Sequence, residues 1–295
     1  MVNLSVIIPT MNRQEAVLRC VESVLDSEYT DIEVIVVDNA SDDGVCDDLK
    51  FYKDKNLQII CSDKNLGAGG GRNLGAASAN GEYLLFLDDD NVVEMHMISN
   101  LVNFLSNNSD KYVMAGPIML YLSDPNIIWM RYVRINMFTS QAVAEGCGKK
   151  YTTNKTISET GLLPNCFIVR KKDFEKVGGF DEKYLVMYEE ADIAHRLKSL
   201  SNKKIAVVQN AVTYHDVDID DFGLTLTCKS RTRAYLTARN RIYFMKKNAS
   251  LVQLISFSFI FFPLVTFIYL FSLLKNGMYK EAQSYIRGSI AGWYI

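Results

Sequence analysis

Leu4–Ile8 is an unbroken apolar run that ends at Pro9. Behind it the pattern changes: Val17, Cys20, Val21, Val24 and Leu25 recur at helical spacing with charges between them. The alternation then repeats. Ile32–Val37 and Leu57–Cys61 are continuous apolar runs, and Leu66–Ala79 reads as a helix of small residues. Tyr83–Leu87 is a fourth run, Met97–Leu105 is helical, and Tyr112–Ala115 is a fifth short strand. Continuously apolar strands separated by helices predict an α/β domain with a parallel sheet covered on both faces. Such sheets bind ligands beyond the carboxyl ends of their strands. Polar residues collect there: Pro9-Thr10-Met11-Asn12-Arg13, Asp38-Asn39-Ala40-Ser41 and Asp88-Asp89-Asp90.

Residues 119–163 are less regular and rich in Tyr, Trp and Asn. Beyond them Leu162–Val169 reads as a strand, Tyr188–Leu200 as a helix, Lys204–Val208 as a strand and Leu226–Met245 as a helix. The pattern then breaks, because no charged residue occurs from Asn248 to Leu274. As a helix, Leu251–Leu274 would reach about 36 Å, against about 30 Å of bilayer hydrocarbon. Pro263 near its middle predicts a kink. A core helix of this length would usually carry a polar stripe, so a membrane helix is expected, either spanning or re-entrant. Basic residues on both flanks (Lys246 and Lys247; Lys275, Lys280 and Arg287) leave its orientation undecided.

The 295 residues carry 32 Lys and Arg against 34 Asp and Glu, a net charge of −2, and 48% are hydrophobic. That balance excludes a broad basic surface for nucleic acid and excludes a disordered chain. The N-terminal apolar run is too short for a signal peptide. Six scattered cysteines without a C-x-x-C pair predict reduced thiols facing the cytoplasm rather than disulfides or a zinc site.

Three carboxylates at the end of a buried strand repel one another unless a cation joins them. Mg²⁺ or Mn²⁺ with phosphate co-ligands is the natural partner, and a solvated turn is the plainer alternative. The run Asn65-Leu66-Gly67-Ala68-Gly69-Gly70-Gly71-Arg72-Asn73 suggests close approach of backbone to a ligand, with Arg72 in reach of a phosphate. It fits neither the dinucleotide fingerprint nor a P-loop.

With Pro9–Arg13, Val37–Gly44, Asn65–Asn73, Leu87–Asp90, Val177–Glu182 and Glu189–Ile193 in this order, the chain resembles an inverting, GT-A fold glycosyltransferase of family 2 over roughly residues 3–247. The resemblance implies a Rossmann-like central sheet with a C-terminal membrane-associated helix region. It also implies a UDP- or dTDP-sugar donor. Pro9, Thr10, Asn12 and Arg13 would line the nucleoside pocket, with Asn39, Ser41, Asn65, Gly67, Asn73 and Asp89 beside the substrate. Asp38 would accept from the base N3–H, and Arg72 would sit by the sugar nucleotide. Asp88 would meet ribose, sugar or metal. Asp90 would ligate Mg²⁺ or Mn²⁺, and His215 would join as a metal ligand. The family's Glu-Asp base pair stands here as Glu189-Glu190. Ile193, Leu197 and Leu200 form a stripe that Glu190 extends, so Glu190 is expected to face inward with a raised pKa. Glu189 is expected to share a solvent face with Asp192 and Arg196. Glu190 is therefore the favoured base and Glu189 the second candidate.

The stretch Tyr235–Lys247 is similar to one that precedes a hydrophobic tail in rhamnosyltransferase-like members acting on lipid-linked acceptors. The expected division is a catalytic domain over 1–223 (nucleotide-sugar half 1–118, acceptor half 119–223), an amphipathic helix over 224–250, a membrane helix over 251–274 and a C-terminal helix over 275–295. The expected activity is hexosyl transfer to a hydroxyl, on a polyprenyl-diphosphate-linked or other glycan acceptor, by an enzyme on the cell membrane facing the cytoplasm. The rivals are a nucleotidyltransferase and a non-catalytic, membrane-bound sugar-nucleotide binder.

Overall fold

The computed structural model describes residues 3–51, 56–152, 157–218 and 228–295. Its first part alternates β1 (Leu4–Thr10), α1 (Gln14–Leu25), β2 (Ile32–Asp38), α2 (Val45–Phe51), β3 (Leu57–Cys61), α3 (Gly67–Ser78) and β4 (Tyr83–Leu87). Then come β5 (Asn91–Val93), α4 (Met97–Asn107), β6 (Tyr112–Tyr121), β7 (Ile128–Met130), β8 (Tyr132–Asn136), β9 (Gln141–Glu145) and β10 (Ile157–Thr160). The catalytic part closes with β11 (Cys166–Arg170), α5 (Lys171–Lys176), α6 (Glu189–Ser201) and β12 (Lys204–His215). The C-terminal helices are α7 (Arg231–Asn248), α8 (Leu251–Ser256), α9 (Phe262–Lys275) and α10 (Tyr279–Tyr294).

The main sheet runs β10-β12-β6-β11-β4-β1-β2-β3, with β5 on β12 and β7 on β6. Side chains alternate across it. Ile7, Ile35, Val37 and Phe86 enter the core under α3 and α6, while Val6, Ile8, Val36 and Leu85 enter the core under α1 and α4. Both faces are covered, as the unbroken apolar runs require. The sheet is nonetheless mixed rather than parallel throughout, because β11 lies antiparallel to both β4 and β6. The chain reaches β11 from β6 through the short strands β7–β10, without the helical crossover that enforces parallel pairing. The expected boundary at 118 falls inside β6, so both halves share one sheet. Leu226 and Thr227, the expected start of α7, lie outside the described residues, as do Asp220 and Asp221 after His215.

The glycines of α3 are filled by protein, not left open for a ligand. A Cβ on Gly67 (φ +73°) would stand 2.4 Å from the Leu185 carbonyl oxygen, and one on Gly75 would stand 2.5 Å from Ile7. The run therefore lets α3 lie tightly on β1 and on the 185–188 turn. The cysteine expectation also needs correction. Cys46 at the start of α2 and Cys61 at the end of β3 form a disulfide, with Cα atoms 6.3 Å apart. Their spacing of 15 in the sequence hides the proximity that the β2–α2–β3 return creates.

Residues 251–275 form one long helix, with a π-helical turn at Phe257–Phe261 just ahead of Pro263. A π-turn there accommodates the missing proline N–H. α10 turns back along α7. A Cβ on Gly288 would meet the Tyr235 carbonyl oxygen at 2.1 Å, and one on Gly292 the Arg239 carbonyl oxygen at 2.8 Å, so only glycine allows this approach.

Candidate active site

The strand ends and the start of α6 converge on Arg72. It reaches inward from α3 and is 1% exposed, with its guanidinium 5.3 Å from the Phe180 ring. Its Nη2 donates to Asp88 Oδ1 at 2.5 Å and to Glu190 Oε1 at 3.0 Å, and Nη1 donates to Glu189 Oε1 at 3.5 Å. Three expected site carboxylates from two distant segments thus share one cation. Asn73 fixes this side differently from the expectation. It donates to the Phe180 carbonyl at 2.9 Å and accepts from the Phe180 N–H at 2.8 Å, so it ties α3 to the 177–182 turn.

The predicted repulsion within the acidic triplet is met largely by protein groups. Asp88 goes to Arg72. Asp89, 5% exposed, accepts from Thr10 Oγ1 at 2.7 Å and from Arg13 at 2.8 Å. Burial raises its pKa to about 6 despite Arg13. Asp90 accepts from Arg13 at 2.8 Å and faces His215 Nε2 at 3.2 Å. Burial would raise the Asp90 pKa, but His215 and Arg13 hold it below the ordinary value.

The geometry around His215 fits a cation. Nε2 meets the side-chain amide of Asn165 at 3.0 Å as well as the Asp90 oxygen. If Nε2 accepts from the amide, its lone pair confronts a carboxylate oxygen, a conflict that a proton or a divalent ion removes. Nδ1 is buried without a hydrogen-bond partner among the described residues. Asp90 and His215 therefore offer the carboxylate and imidazole donors that Mg²⁺ or Mn²⁺ accepts. Asp88 faces Arg72 instead of joining them.

A second cluster lies across β1, β2 and β3. Thr10, Asp38 and Cys61 are successive register partners. Asp38 is nearly buried and accepts from the Ser41 N–H at 3.1 Å and from the Ser41 hydroxyl. Ser41 Oγ accepts from the Asn12 N–H at 2.9 Å, and Asn39 Oδ1 is buried without a hydrogen-bond partner among the described residues. Asn65 accepts from the Gly67 N–H at 2.8 Å, just ahead of α3. Pro9, Asn12, Asp38, Asn39 and Ser41 are thereby gathered at one sheet edge. The Cys46–Cys61 sulfurs lie within 4.8 Å of the Asp38 carboxylate, a neighbour the sequence did not suggest.

The expected contrast between the two glutamates is reversed in burial. Glu189 is 4% exposed, and Asp192, assigned to solvent, is fully buried. The helical stripe misleads because α7 covers the other face of α6. Asp192 accepts from Lys247 at 3.1 Å and from Asn248 at 3.0 Å, besides pairing with Arg196 at 2.7 Å. Glu190 keeps the more accessible side chain, 17% exposed against 6% for Glu189. Its carboxylate also accepts from the Asn165 N–H at 2.9 Å. Burial pushes the Glu190 pKa up to about 8, partly opposed by Arg72.

Two residues outside the expected set organise this pair. Asn165 (φ +59°) touches Glu190 and His215, and its carbonyl accepts from the Asp88 N–H at 2.9 Å. Pro164-Asn165 ahead of a strand is the available signal, since asparagine tolerates the left-handed region. Asn240 on α7 is fully buried, and its amide nitrogen lies 2.9 Å from each of the Tyr184, Val186 and Met187 carbonyl oxygens, so its two N–H groups are shared among three acceptors. That turn carries Leu185, Met187 and Tyr188 at φ of +61°, +68° and +74°, immediately before Glu189. Each such residue stores on the order of 1–3 kcal/mol of strain, held here by one amide. Asn240→Ala is expected to misplace Glu189 and Glu190 and so to lower any catalysis they perform by about tenfold or more, with little effect on ligand binding at the strand ends. Stability should fall by about 2–4 kcal/mol as carbonyls lose their donor. Steady-state kinetics with a urea melt checks both.

Residues 5–178 match the family model described as "Glycosyl transferase family 2". Glycosyltransferase GlyG of Streptococcus pneumoniae is 26% identical over 216 residues, covering 72% of this chain and 70% of that protein. An Escherichia coli protein, "UDP-Glc:alpha-D-GlcNAc-diphosphoundecaprenol beta-1,3-glucosyltransferase WfaP", is 36% identical over 102 residues, which is 35% of this chain and 41% of WfaP. The chain thus spans less than half of WfaP. Among solved structures, GalNAc-T7 with UDP, GalNAc and Mn²⁺ superposes with a TM-score of 0.61 at 15% identity, over 82% of this chain and 51% of that one.

Proposed function

The chain belongs to glycosyl transferase family 2 and has the GT-A fold, and from that premise we propose that it moves a sugar, with inversion, from a UDP- or dTDP-sugar to a hydroxyl of a polyprenyl-diphosphate-linked saccharide. The observation that carries this reading is the Arg72 junction. It joins Asp88, at the strand end where a donor would lie, to Glu190, at the helix start where an acceptor would be deprotonated. Residues 1–118 bind the donor, with Asp38 accepting from the base and Pro9, Thr10, Asn12, Arg13, Asn39 and Ser41 around the nucleoside. Residues 119–223 shape the acceptor side. Glu190 removes the acceptor proton, and the hydroxyl attacks the anomeric carbon opposite the diphosphate. Arg13, freed from Asp89 and Asp90, and Arg72 stabilise the leaving group by charge. A divalent cation held by Asp90 and His215, with Asp88 adjacent, would supply the remaining neutralisation of the diphosphate. The enzyme works at the cell membrane, on the face that its nucleotide-sugar donor reaches. The acceptor that WfaP's name gives, an alpha-D-GlcNAc-diphosphoundecaprenol, supports the lipid-linked class.

The test is a donor panel that includes UDP-glucose and dTDP-rhamnose, with Mn²⁺ and an undecaprenyl-diphosphate-linked N-acetylhexosamine. Product is followed by mass spectrometry. One donor is expected to be consumed with a mass gain on the lipid. Tight nucleotide binding without turnover of any donor would favour the non-catalytic reading.

A further inference from the structure

The apolar helix is held by a narrow stripe. Phe257, Val265, Tyr269 and Leu273 are buried, whereas Val252, Phe259, Ile260, Leu264, Phe267 and Phe271 are exposed. α10 adds exposed Ile286, Ile290 and Trp293. Water does not tolerate a patch of this size. The surrounding charge is one-sided. Residues 228–295 hold ten Lys and Arg and a single acid, Glu281, while the rest of the chain holds 22 basic and 33 acidic residues.

The helix is also fixed in direction. α8 starts where α7 ends, and Leu273 near the other end packs with Cys228, Ala234 and Ala238 at the start of α7. Between them Arg241 stands 4.7 Å from the Tyr269 ring, and Phe262 meets Trp293 at 5.8 Å. The apolar helix therefore runs back antiparallel to α7 and packs on α10, which itself lies tightly along α7. α7 is bound to the catalytic domain: Arg239 donates to the Tyr184 carbonyl at 3.1 Å, and Lys247 pairs with Asp181 at 2.6 Å. If Leu251–Lys275 crossed a bilayer, α7 would be dragged into hydrocarbon with Arg239, Arg241, Lys246 and Lys247, each a costly charge there.

We propose that α8, α9 and α10 form a monotopic docking surface that lies in the plane of an anionic phospholipid bilayer. Their exposed apolar side chains enter the acyl boundary, the Lys and Arg fringe meets the headgroups, and Leu251–Lys275 does not span. The surface continues onto the catalytic domain at Phe138, whose ring lies 6.3 Å from that of Phe261. Ser140, two residues on, accepts from the Tyr188 hydroxyl beside Glu189. The membrane plane is thus carried to the acceptor side of the site. This use rests on the lipid-linked acceptor reading, but docking is measured without donor or acceptor.

The experiment floats the full chain with vesicles of phosphatidylcholine containing about 30 mol% phosphatidylglycerol, an anionic surface. Flotation is expected, and the triple variant Phe259→Asp, Phe267→Asp, Phe271→Asp should float at least tenfold less with UDP affinity unchanged. Ser250→Cys and Asn276→Cys, at the two ends of the helix, should both react with a membrane-impermeant maleimide on intact vesicles. Labelling of one end only after lysis would overturn the in-plane placement. Failure to float, with elution as a dimer, would assign the face to a second copy of the chain and sink the proposal. Normal flotation without UDP binding would instead count against the catalytic reading.

Discussion

Glu190→Gln is expected to reduce sugar transfer by about 10²–10⁴-fold, the range of a lost general base, while UDP binding persists. Gln keeps the shape and can still accept from Arg72 and the Asn165 N–H, so the donor side is undisturbed. The pH profile carries the sharper signature. With a pKa pushed up to about 8 by burial, Glu190 is mostly protonated at neutral pH in the free enzyme. Turnover should therefore climb with pH through the range below about 8, and that limb should vanish in the variant. Stability should move the opposite way. The unfolded carboxyl releases its proton near its ordinary value of 4.5, but the folded one retains it to about 8, so folding stability declines with rising pH across that window. Glu190→Gln should flatten this decline, so its melting temperature gains on the wild type more at pH 8 than at pH 5. Glu189→Gln is the control. Its side chain is the more enclosed, 6% exposed against 17% for Glu190, so an acceptor has less access to it. A larger loss of transfer in Glu189→Gln than in Glu190→Gln would move the base to Glu189.

That exchange of roles between neighbours marks where the sequence stops being readable. The parallel strands β1, β2 and β4 were visible because each is buried almost throughout and so lacks polar alternation. Their carboxyl ends therefore located Thr10, Asp38 and Asp88–Asp90 correctly at one edge. Periodicity on α6 failed because it registers one neighbouring layer, and α6 has two. α7 arrives from some 50 residues away and buries Asp192 by supplying Lys247 and Asn248. Asn240 was invisible for a related reason. It acts through backbone carbonyls of a distant turn, which leave no trace in side-chain pattern. The short strands β7–β10 escaped because most are half exposed, and their alternation is diluted by loops. The apolar helix was evident in composition, yet whether it crosses or lies flat depends on α10 packing back on α7 through Gly288 and Gly292.

Asp90→Asn is expected to cost the enzyme at least about 10³-fold in transfer, roughly 4 kcal/mol at 1.4 kcal/mol per decade. The carboxylate stands between Arg13 and His215, and no other residue of the triplet can replace it there. Asp88 is committed to Arg72, and Asp89 to Thr10 and Arg13. Asparagine preserves volume and can still accept from Arg13, so the β4–β5 turn should keep its form. What it cannot offer is the negative charge that a divalent cation bound there would need. The expected readout by calorimetry is specific: Mn²⁺ should strengthen UDP binding to the wild type and leave Asp90→Asn unaffected, both proteins binding UDP alike without the ion. His215→Ala should weaken the Mn²⁺ effect less severely, because in the proposed site the carboxylate would carry the charge and the imidazole would only complete the donor set. An Asp90→Asn protein that still responded to Mn²⁺ and transferred sugar at the wild-type rate would exclude Asp90 as the cation's anchor. The Arg13–Asp90 pair would then have to be read as a strand-end brace.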